Sequence, residues 1–219
     1  MGYYPIFVEM EGRACVVIGG GRVAEGKVQG LLAAGAAVTV VSPSLTPALA
    51  DLLAAGHVRH EARAYREGDL DGCEVCMVAT DDGAVNATVA AEGKRRGVWV
   101  NAADDPANCD FILPSVIRQG QVVVAASTGG TSPALARRLR EDLTAFLSED
   151  YAALAELLNE VRGELRRRQI SVDAELWQTA MDAPFRALLA QGRNDEARRR
   201  LLDGLGVAEA LAAPVTPEA

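Results

Sequence analysis

Histidine, cysteine and aromatic residues are scarce in this chain of 219 residues, which has 2 histidines, 4 cysteines and 5% aromatic side chains. Four cysteines are too few for a disulfide scaffold in a chain of this length. Cys73 and Cys76 have the spacing of a CxxC motif, but no second such pair follows, and the segment reads as an apolar strand. We therefore interpret them as small buried side chains in preference to a metal or redox site.

An excess of positive charge and long apolar runs are lacking as well. The chain has 22 Lys+Arg against 30 Asp+Glu, a net charge of −8, which does not favour a nucleic-acid partner. The longest apolar runs, such as residues 33–41, are too short to span a membrane. The N-terminus has no basic region followed by an apolar stretch, so we expect no signal peptide and a cytoplasmic protein.

The first half of the chain alternates between two hydrophobic patterns. Continuous apolar runs predict strands, and apolar residues at helical spacing predict helices. The strands are predicted over residues 13–18, 37–41, 58–62, 75–79 and 99–102, and the helices over 23–34, 46–55 and 83–96. Strands that are apolar throughout and alternate with helices are typical of a parallel sheet covered on both faces. We predict an α/β, Rossmann-like fold.

The pattern changes after Pro106. Two strands are predicted over Phe111–Pro114 and Val122–Ser127, and a helix near Pro133 with Ser132 as its N-cap. The remainder is mostly helical, with a last stretch at 212–219 that we expect to be frayed. We predict three parts: a dinucleotide-binding domain at 1–112, a small mixed segment at 113–147 and a helical domain at 148–219.

A glycine-rich turn follows the first predicted strand. Its sequence, Gly19-Gly20-Gly21-Arg22-Val23-Ala24, fits GxGxx(G/A) and opens a helix. The first glycine permits a sharp turn, the third lets the backbone approach a pyrophosphate, and the alanine lets the helix pack on the sheet. The helix N-terminus then offers N–H groups to the phosphates. We predict dinucleotide binding; the alternative is a turn without a ligand.

The second strand ends without the acidic residue that usually binds the ribose of such a cofactor. Ser42, Pro43 and Ser44 stand there instead, and the serine hydroxyls are candidates for the ribose. Positions 42–46 contain no Lys or Arg to hold a 2′-phosphate, and Arg22 is the nearest candidate for that role. We therefore favour NAD over NADP.

Two acidic loops follow the fourth and fifth strands, at the edge where ligands bind such sheets. In Thr80-Asp81-Asp82 we expect an aspartate to cap the next helix while the loop lines the cofactor. The second loop covers residues 101–106, and we expect Asn101 to contact the cofactor. The loop is either a plain turn or contains a proton acceptor. An aspartate has a pKa of about 3.9, so a useful base needs partial desolvation to raise it.

A second glycine-rich turn, Thr128–Pro133, also connects a predicted strand to a helix start. Such a turn can hold an anion. Arg137, Arg138 and Arg140 follow on the helix. These arginines either form a solvated helix face or attract an acidic substrate to a protein of negative net charge, and the residues favour neither interpretation.

Taken together, seven segments resemble one family. They occur in order at matching spacing within residues 3–147: YPIF at 4–7, VIGGGRVAEGK at 17–27, VTVVSP at 38–43, VATDD at 78–82, VNAADD at 100–105, CDFILP at 109–114 and STGGTSPALARRL at 127–139. The chain is similar in these motifs to the precorrin-2 dehydrogenases and sirohydrochlorin ferrochelatases of siroheme synthesis.

The resemblance implies an NAD-dependent oxidation of precorrin-2 to sirohydrochlorin, followed in many members by insertion of Fe²⁺, with Co²⁺ also possible. It implies a homodimer, in which segment 113–147 serves dimerisation and substrate binding. The central carboxylate falls on Asp104, which also becomes the candidate for transient metal contact, although Asp105 lies beside it. The alternatives are an NAD-binding regulatory module without turnover and an enzyme that only inserts metal.

The same resemblance distributes the binding residues. It implies cofactor contacts at the glycine turn and at the ends of the second and fourth strands. We add Ser42 and Asn101 from the residue pattern. The full set is Gly19, Gly20, Gly21, Arg22, Val23, Ser42, Pro43, Ser44, Thr80, Asp81 and Asn101. The substrate is expected at Ser127, Thr128, Gly129 and Gly130, joined by Arg137 and Arg138.

Overall fold

Continuous apolar strands in the first half build one parallel sheet, as predicted. The computed structural model describes residues 2–103, 105–147 and 150–212. Its first five strands are β1 (Ala14–Ile18), β2 (Ala37–Val41), β3 (Val58–Glu61), β4 (Val75–Val78) and β5 (Trp99–Ala102). They lie in the order β3-β2-β1-β4-β5, and every neighbouring pair is parallel. The carboxyl ends of all five strands therefore lie along one edge.

Three helices cover the two faces of this sheet. They are α1 (Arg22–Leu32), α2 (Pro47–Ala54) and α3 (Gly83–Arg96). Val28 of α1 and Leu49 of α2 share one buried cluster with strand residues such as Val17. Val89 of α3 packs in a second cluster with the alternate strand residues, among them Val16. Because both faces are covered, β1 and β4 are apolar at every position, whereas the edge strand β3 is apolar only at Val58.

Local signals set the ends of these helices. The Thr46 hydroxyl accepts a hydrogen bond from the Leu49 N–H at 3.4 Å and caps α2, where Pro47 stands at the first position. At the other end of the unit, α3 stops at Gly97, whose φ of 71° is left-handed. Glycine adopts this conformation at little cost and is the common residue after a helix.

The loop between β3 and β4 is held to α3 by a fully buried carboxylate. Glu92 is 0% exposed. It accepts hydrogen bonds from the Tyr65 hydroxyl and from the Gly68 N–H at 2.9 Å, and it pairs with Arg96 at 2.6 Å. Burial is the largest cause that raises the pKa of Tyr65, followed by its bond to Glu92. A buried charge is tolerated when it is paired and hydrogen-bonded in this way.

One predicted strand is wrong. No strand forms at Phe111–Pro114; the antiparallel pair is β6 (Ser115–Gln119) with β7 (Val122–Ala126). The Phe111 carbonyl accepts a hydrogen bond from the Asn101 side chain at 2.9 Å, and the Phe111 side chain packs on the core of the parallel sheet. Pro114 has no N–H to give to a ladder, so the strand begins one residue later.

The second half is helical after β7. Its helices are α4 (Pro133–Phe146), α5 (Asp150–Arg167), α6 (Ala174–Ala180), α7 (Ala183–Ala190), α8 (Asn194–Gly204) and α9 (Ala208–Ala212), the last of which was not predicted. The chain divides into two units between Leu113 and Pro114; the finer division at residue 147 stays a prediction. The segment expected to fray lies outside the described residues from 213 onward. Within the described ranges, no helix combines the length and apolar character needed to cross a bilayer.

Replacing Glu92 with alanine should destabilise the protein by about 3 kcal/mol, since three donors lose a buried acceptor. Urea unfolding followed by circular dichroism measures the loss. The matched control is Glu67→Ala, which removes an exposed pairing with Arg95 and should cost less than about 1 kcal/mol. Equal effects of the two substitutions would show that the Glu92 network does not stabilise the fold.

Candidate active site

The glycine turn between β1 and α1 depends on close backbone approach. Gly19 has a φ of 120°, and a Cβ there would overlap with the Ala79 carbonyl. A Cβ on Gly20 would overlap with the Ser44 carbonyl, and the Gly20 carbonyl itself accepts a hydrogen bond from the Thr46 N–H at 3.0 Å. The first two glycines are therefore required by the protein's own packing.

The third glycine faces open space. Gly21 is the N-cap of α1, where no side chain bonds the first turn. Among the described residues no atom lies within 4 Å of the position that a Gly21 Cβ would take. Arg22 and Val23 are exposed beside it. An unfilled helix N-terminus with free approach fits the pyrophosphate of a dinucleotide, which accepts hydrogen bonds from such N–H groups.

At the end of β2, only part of the predicted ribose site is open. Ser42 is 6% exposed, and its hydroxyl donates to the Ser44 carbonyl at 2.7 Å. The Ser42 carbonyl is bonded to His60 Nε2 at 2.9 Å. Pro43 and Ser44 are exposed. Ser44 therefore offers a hydroxyl donor to a ligand, whereas the Ser42 hydroxyl is left with acceptor capacity.

The two aspartates of the loop after β4 differ in their contacts. Asp82 caps α3, because its Oδ1 accepts from the Ala84 N–H at 2.9 Å and from the Val85 N–H at 3.2 Å. The Thr80 hydroxyl donates to Asn86 Oδ1 at 2.9 Å. Asp81 is exposed and is the aspartate of this loop that stays available to a ligand.

Asn101, at the end of β5, is engaged within the protein. It is 7% exposed. Its Oδ1 accepts a hydrogen bond from Lys27 Nζ at 2.8 Å, and its Nδ2 donates to the Phe111 carbonyl. Sequence reasoning placed Asn101 in the site but missed Lys27, since nothing in the local pattern of α1 indicates a partner 74 residues away.

The turn that follows β5 contains the predicted proton acceptor. Asp104 lies outside the described residues. Its neighbours are tied to the sheet: the Ala103 N–H donates to the Val78 carbonyl at 2.9 Å, and the Asp105 N–H to the Ala102 carbonyl at 3.4 Å. The Asp105 carboxylate accepts a hydrogen bond from the Asn108 side chain at 2.7 Å, so part of its capacity as an acceptor is used.

Cys109, another residue that the sequence did not indicate as functional, lies against this turn. Its Sγ is 3.2 Å from the Ala102 nitrogen and 3.1 Å from the Ala102 oxygen, and 3.3 Å from the Asp105 oxygen. Burial raises the pKa of the Cys109 thiol, so at neutral pH the sulfur keeps a proton to donate to a carbonyl. In the described parts of the chain, no three Cys, His, Asp or Glu side chains are grouped as metal ligands.

The second glycine-rich turn belongs to the second unit and is stabilised by its own side chains. The Thr128 hydroxyl accepts from the Ser132 N–H at 3.1 Å, and the Ser127 hydroxyl from the Gly129 N–H at 3.0 Å. Ser132 caps α4 by accepting from the Leu135 N–H at 3.2 Å, as predicted. Gly130 has a φ of 86°, which favours glycine.

The arginines of α4 are exposed. Arg137 and Arg140 lie at the surface of the second unit, and Arg138 pairs with Asp142 at 3.0 Å one turn further along the helix. An exposed pair at this spacing contributes about 0.3–0.5 kcal/mol. Arg138 can therefore exchange Asp142 for an acidic ligand at little cost.

Comparison with known proteins places these features in a family. Residues 6–115 match the model of a family described as putative NAD(P)-binding. The chain belongs to this family. The match covers the whole parallel sheet and its glycine turn, so the prediction of a dinucleotide-binding fold is confirmed.

This chain resembles longer proteins over more than its first unit. It is 38% identical over 210 residues to a siroheme synthase of Methylococcus capsulatus, covering 95% of this chain and 44% of that protein. It is 39% identical over 203 residues to siroheme synthase 1 of Serratia proteamaculans, covering 92% and 43%. The chain thus spans less than half the length of these relatives.

A solved structure matches nearly the whole of both chains. The structure titled SirC, precorrin-2 dehydrogenase, has a TM-score of 0.74 and 29% identity, and the match covers 93% of this chain and 99% of that one. The resemblance found in the motifs is thereby confirmed, and it extends to the helices after residue 147, which lie beyond the motifs.

Gly21→Asp should weaken NAD binding at least about tenfold, equivalent to about 1.4 kcal/mol, because a carboxylate would stand where the phosphates are expected. Titration calorimetry measures the Kd. The matched control is Gly26→Asp in the same helix, where a Cβ also meets open space; it should leave the affinity unchanged. An unaltered Kd for Gly21→Asp would show that this helix end does not bind the cofactor.

Proposed function

We propose that the protein is a dehydrogenase that oxidises precorrin-2 to sirohydrochlorin with NAD. The observation that carries this proposal is the match to SirC over 99% of that chain, together with an uncapped helix N-terminus after the glycine turn. The siroheme synthases among its relatives support the same pathway.

Bound NAD supplies the chemistry of hydride acceptance. The residues of the chain bind it and orient it: the first turn of α1 for the pyrophosphate, with Ser44 and the loop at Thr80 and Asp81 for the remainder. Positions 42–46 contain no basic side chain to hold a 2′-phosphate, and the exposed Arg22 is the nearest candidate for that role. We infer that NAD is the preferred cofactor.

Loss of a hydride from a ring carbon must be accompanied by loss of a proton, and we assign its uptake to Asp104. Asp105, the neighbouring candidate, already accepts a hydrogen bond from Asn108. Partial desolvation next to a bound macrocycle would raise the pKa of an aspartate toward the range useful for a base.

The substrate carries several carboxylates, and the second unit offers groups suited to them. Ser127, Thr128, Gly129 and Gly130 form the turn before α4, and Arg137 and Arg138 follow on its exposed surface. Local positive charge of this kind attracts an acidic ligand even though the whole chain has a net charge of −8.

We infer that insertion of Fe²⁺ is a second activity, with the metal as a substrate that Asp104 guides to the macrocycle; Co²⁺ is an alternative substrate. The described residues contain no cluster that would store such an ion. An NAD-binding regulator without turnover and an enzyme that only inserts metal remain the competing functions.

We infer further that the protein acts as a homodimer. Helix α4 has no buried residue in this chain, and the apolar side chains of one stripe are exposed, with Leu135 at 52%, Leu139 at 37% and Phe146 at 69%. An exposed apolar stripe of this kind marks a protein–protein contact, and a second copy would bury it.

The decisive experiment mixes the protein with precorrin-2 and NAD and follows NADH absorbance, before Fe²⁺ or Co²⁺ is added. Asp104→Asn should abolish turnover, since an amide cannot take up the proton, while the Kd for NAD is unchanged. Asp105→Asn should retain most of the activity, because the amide oxygen can still accept from Asn108. A regulator would bind NAD and form no NADH; a metal-inserting enzyme would chelate without NAD.

Arg138→Ala tests the substrate assignment. Removal of one cation from α4 should raise the KM for precorrin-2 by about three- to tenfold, a loss of about 1 kcal/mol, and leave the KM for NAD unchanged. Steady-state kinetics with each substrate varied in turn measure both. Arg140→Ala on the same helix is the comparison, and an equal rise in both KM values would indicate damage to the fold instead.

A further inference from the structure

A polar cluster lies at the carboxyl end of β5, on the side of the sheet that α1 covers. It consists of Lys27, Asn101 and Cys109. The Asn101 amide is almost fully buried and is held from both ends, by Lys27 Nζ at 2.8 Å and by the Phe111 carbonyl at 2.9 Å. A buried amide that loses a hydrogen-bond partner destabilises the fold, so this orientation of Asn101 is strongly favoured.

The contact between Lys27 and Asn101 joins two functional parts of the first unit. Lys27 lies in the second turn of α1, the helix whose open N-terminus fits the pyrophosphate. Asn101 lies on β5, immediately before the turn that leads to Asp104. In the sheet, β4 lies between β1 and β5, so a long side chain is needed to connect α1 with this edge strand.

Cys109 ties the same turn from the other side. Its sulfur is within hydrogen-bonding distance of Ala102, which precedes the turn, and of Asp105, which follows residue 104. The Asn101 amide nitrogen is 3.7 Å from this sulfur. The Cys109 thiol thus connects Ala102 and Asp105 to the Asn101 side chain, which also accepts from Lys27.

We propose that Lys27, Asn101 and Cys109 act as positioning residues, which fix the turn carrying Asp104 relative to the cofactor helix. The inference rests on the proposed function, because the purpose of the cluster is to align a proton acceptor with a substrate beside the bound dinucleotide. A displacement of a reacting group by about 1 Å can lower a rate about 100-fold, so a fixed turn has a direct kinetic value.

Lys27→Met keeps most of the apolar stem of the side chain and removes the donor to Asn101. It should lower kcat by about 10- to 100-fold and leave the Kd for NAD unchanged. The midpoint of thermal unfolding should fall by no more than about 5 °C, because Asn101 keeps the Phe111 carbonyl as a partner. Lys27→Arg, which retains a donor, should restore most of kcat. Lys94→Met, at the exposed lysine of α3, is the matched control and should change nothing.

Amide hydrogen exchange of the NAD-free protein provides a readout that does not depend on turnover. Lys27→Met and Cys109→Ala should each speed exchange at Ala102, Ala103 and Asp105 by about tenfold, the effect of losing about 1.4 kcal/mol of local stability. Cys109→Ser, which keeps a hydroxyl donor and acceptor, should exchange more slowly than Cys109→Ala. Amides of β2 serve as an internal reference.

The outcomes separate the inference from the function on which it rests. If the unaltered protein forms no NADH from precorrin-2, the proposed function fails, and the catalytic role of the cluster fails with it. This holds even if amide exchange shows that Lys27 and Cys109 stabilise the turn. If the unaltered protein turns over and Lys27→Met retains full kcat with unchanged exchange, only the inference is overturned. Faster exchange throughout the first unit, with an unfolding midpoint lowered by more than about 5 °C, would mean a general structural role and would overturn it as well.

Discussion

The site depends on the register of three parallel strands. Ile18 of β1 is aligned with Val78 of β4, which in turn is aligned with Ala102 of β5. The glycine turn and the loops after β4 and β5 therefore leave the sheet side by side. A slip of one residue in a strand would turn that strand's side chains to the opposite face, and a slip in β5 would carry Asn101 away from α1. The apolar pattern that fixes the register therefore also assembles the site.

Among the three helices that cover the parallel sheet, α1 begins without a side-chain cap, as α6 and α8 of the second unit also do. Helices α2, α3, α4 and α7 begin after Thr46, Asp82, Ser132 and Asp182, whose side chains accept from the first turn. Helix α1 begins after Gly21, which has no side chain to give. Glycine in place of a capping side chain costs roughly a few tenths of a kcal/mol of stability, and it leaves the first-turn donors available to phosphate groups.

Local patterns in the sequence were sufficient for the parallel sheet and not for contacts between distant residues. The sheet was predictable because burial on both faces makes β1, β2 and β4 almost wholly apolar, whereas the edge strand β3 is polar at three of its four positions. The prediction of a strand at Phe111 was wrong. The Phe111 carbonyl accepts a hydrogen bond from the side chain of Asn101, ten residues earlier, and local sequence patterns do not reveal such a contact. Two adjacent aspartates in one loop look alike in sequence, and only backbone geometry assigns the capping role to Asp82. The positions of Lys27 and Cys109 at the site follow from the fold and have no local signal.

The two faces of β5 are held by different means, and this difference bears on the site. On one face Gly93 lets α3 approach so closely that a Cβ there would overlap with the Val100 side chain. On the other face, Asn101 is reached by the side chain of Lys27 and by the carbonyl of Phe111. The strand is thus supported on one side by close packing against α3 and on the other by hydrogen bonds of the Asn101 side chain to a lysine side chain and a backbone carbonyl. The geometry of the turn after β5 can therefore be tuned by substitutions on the second face without disturbance of the first, which makes that face a suitable place for residues that position a catalytic group.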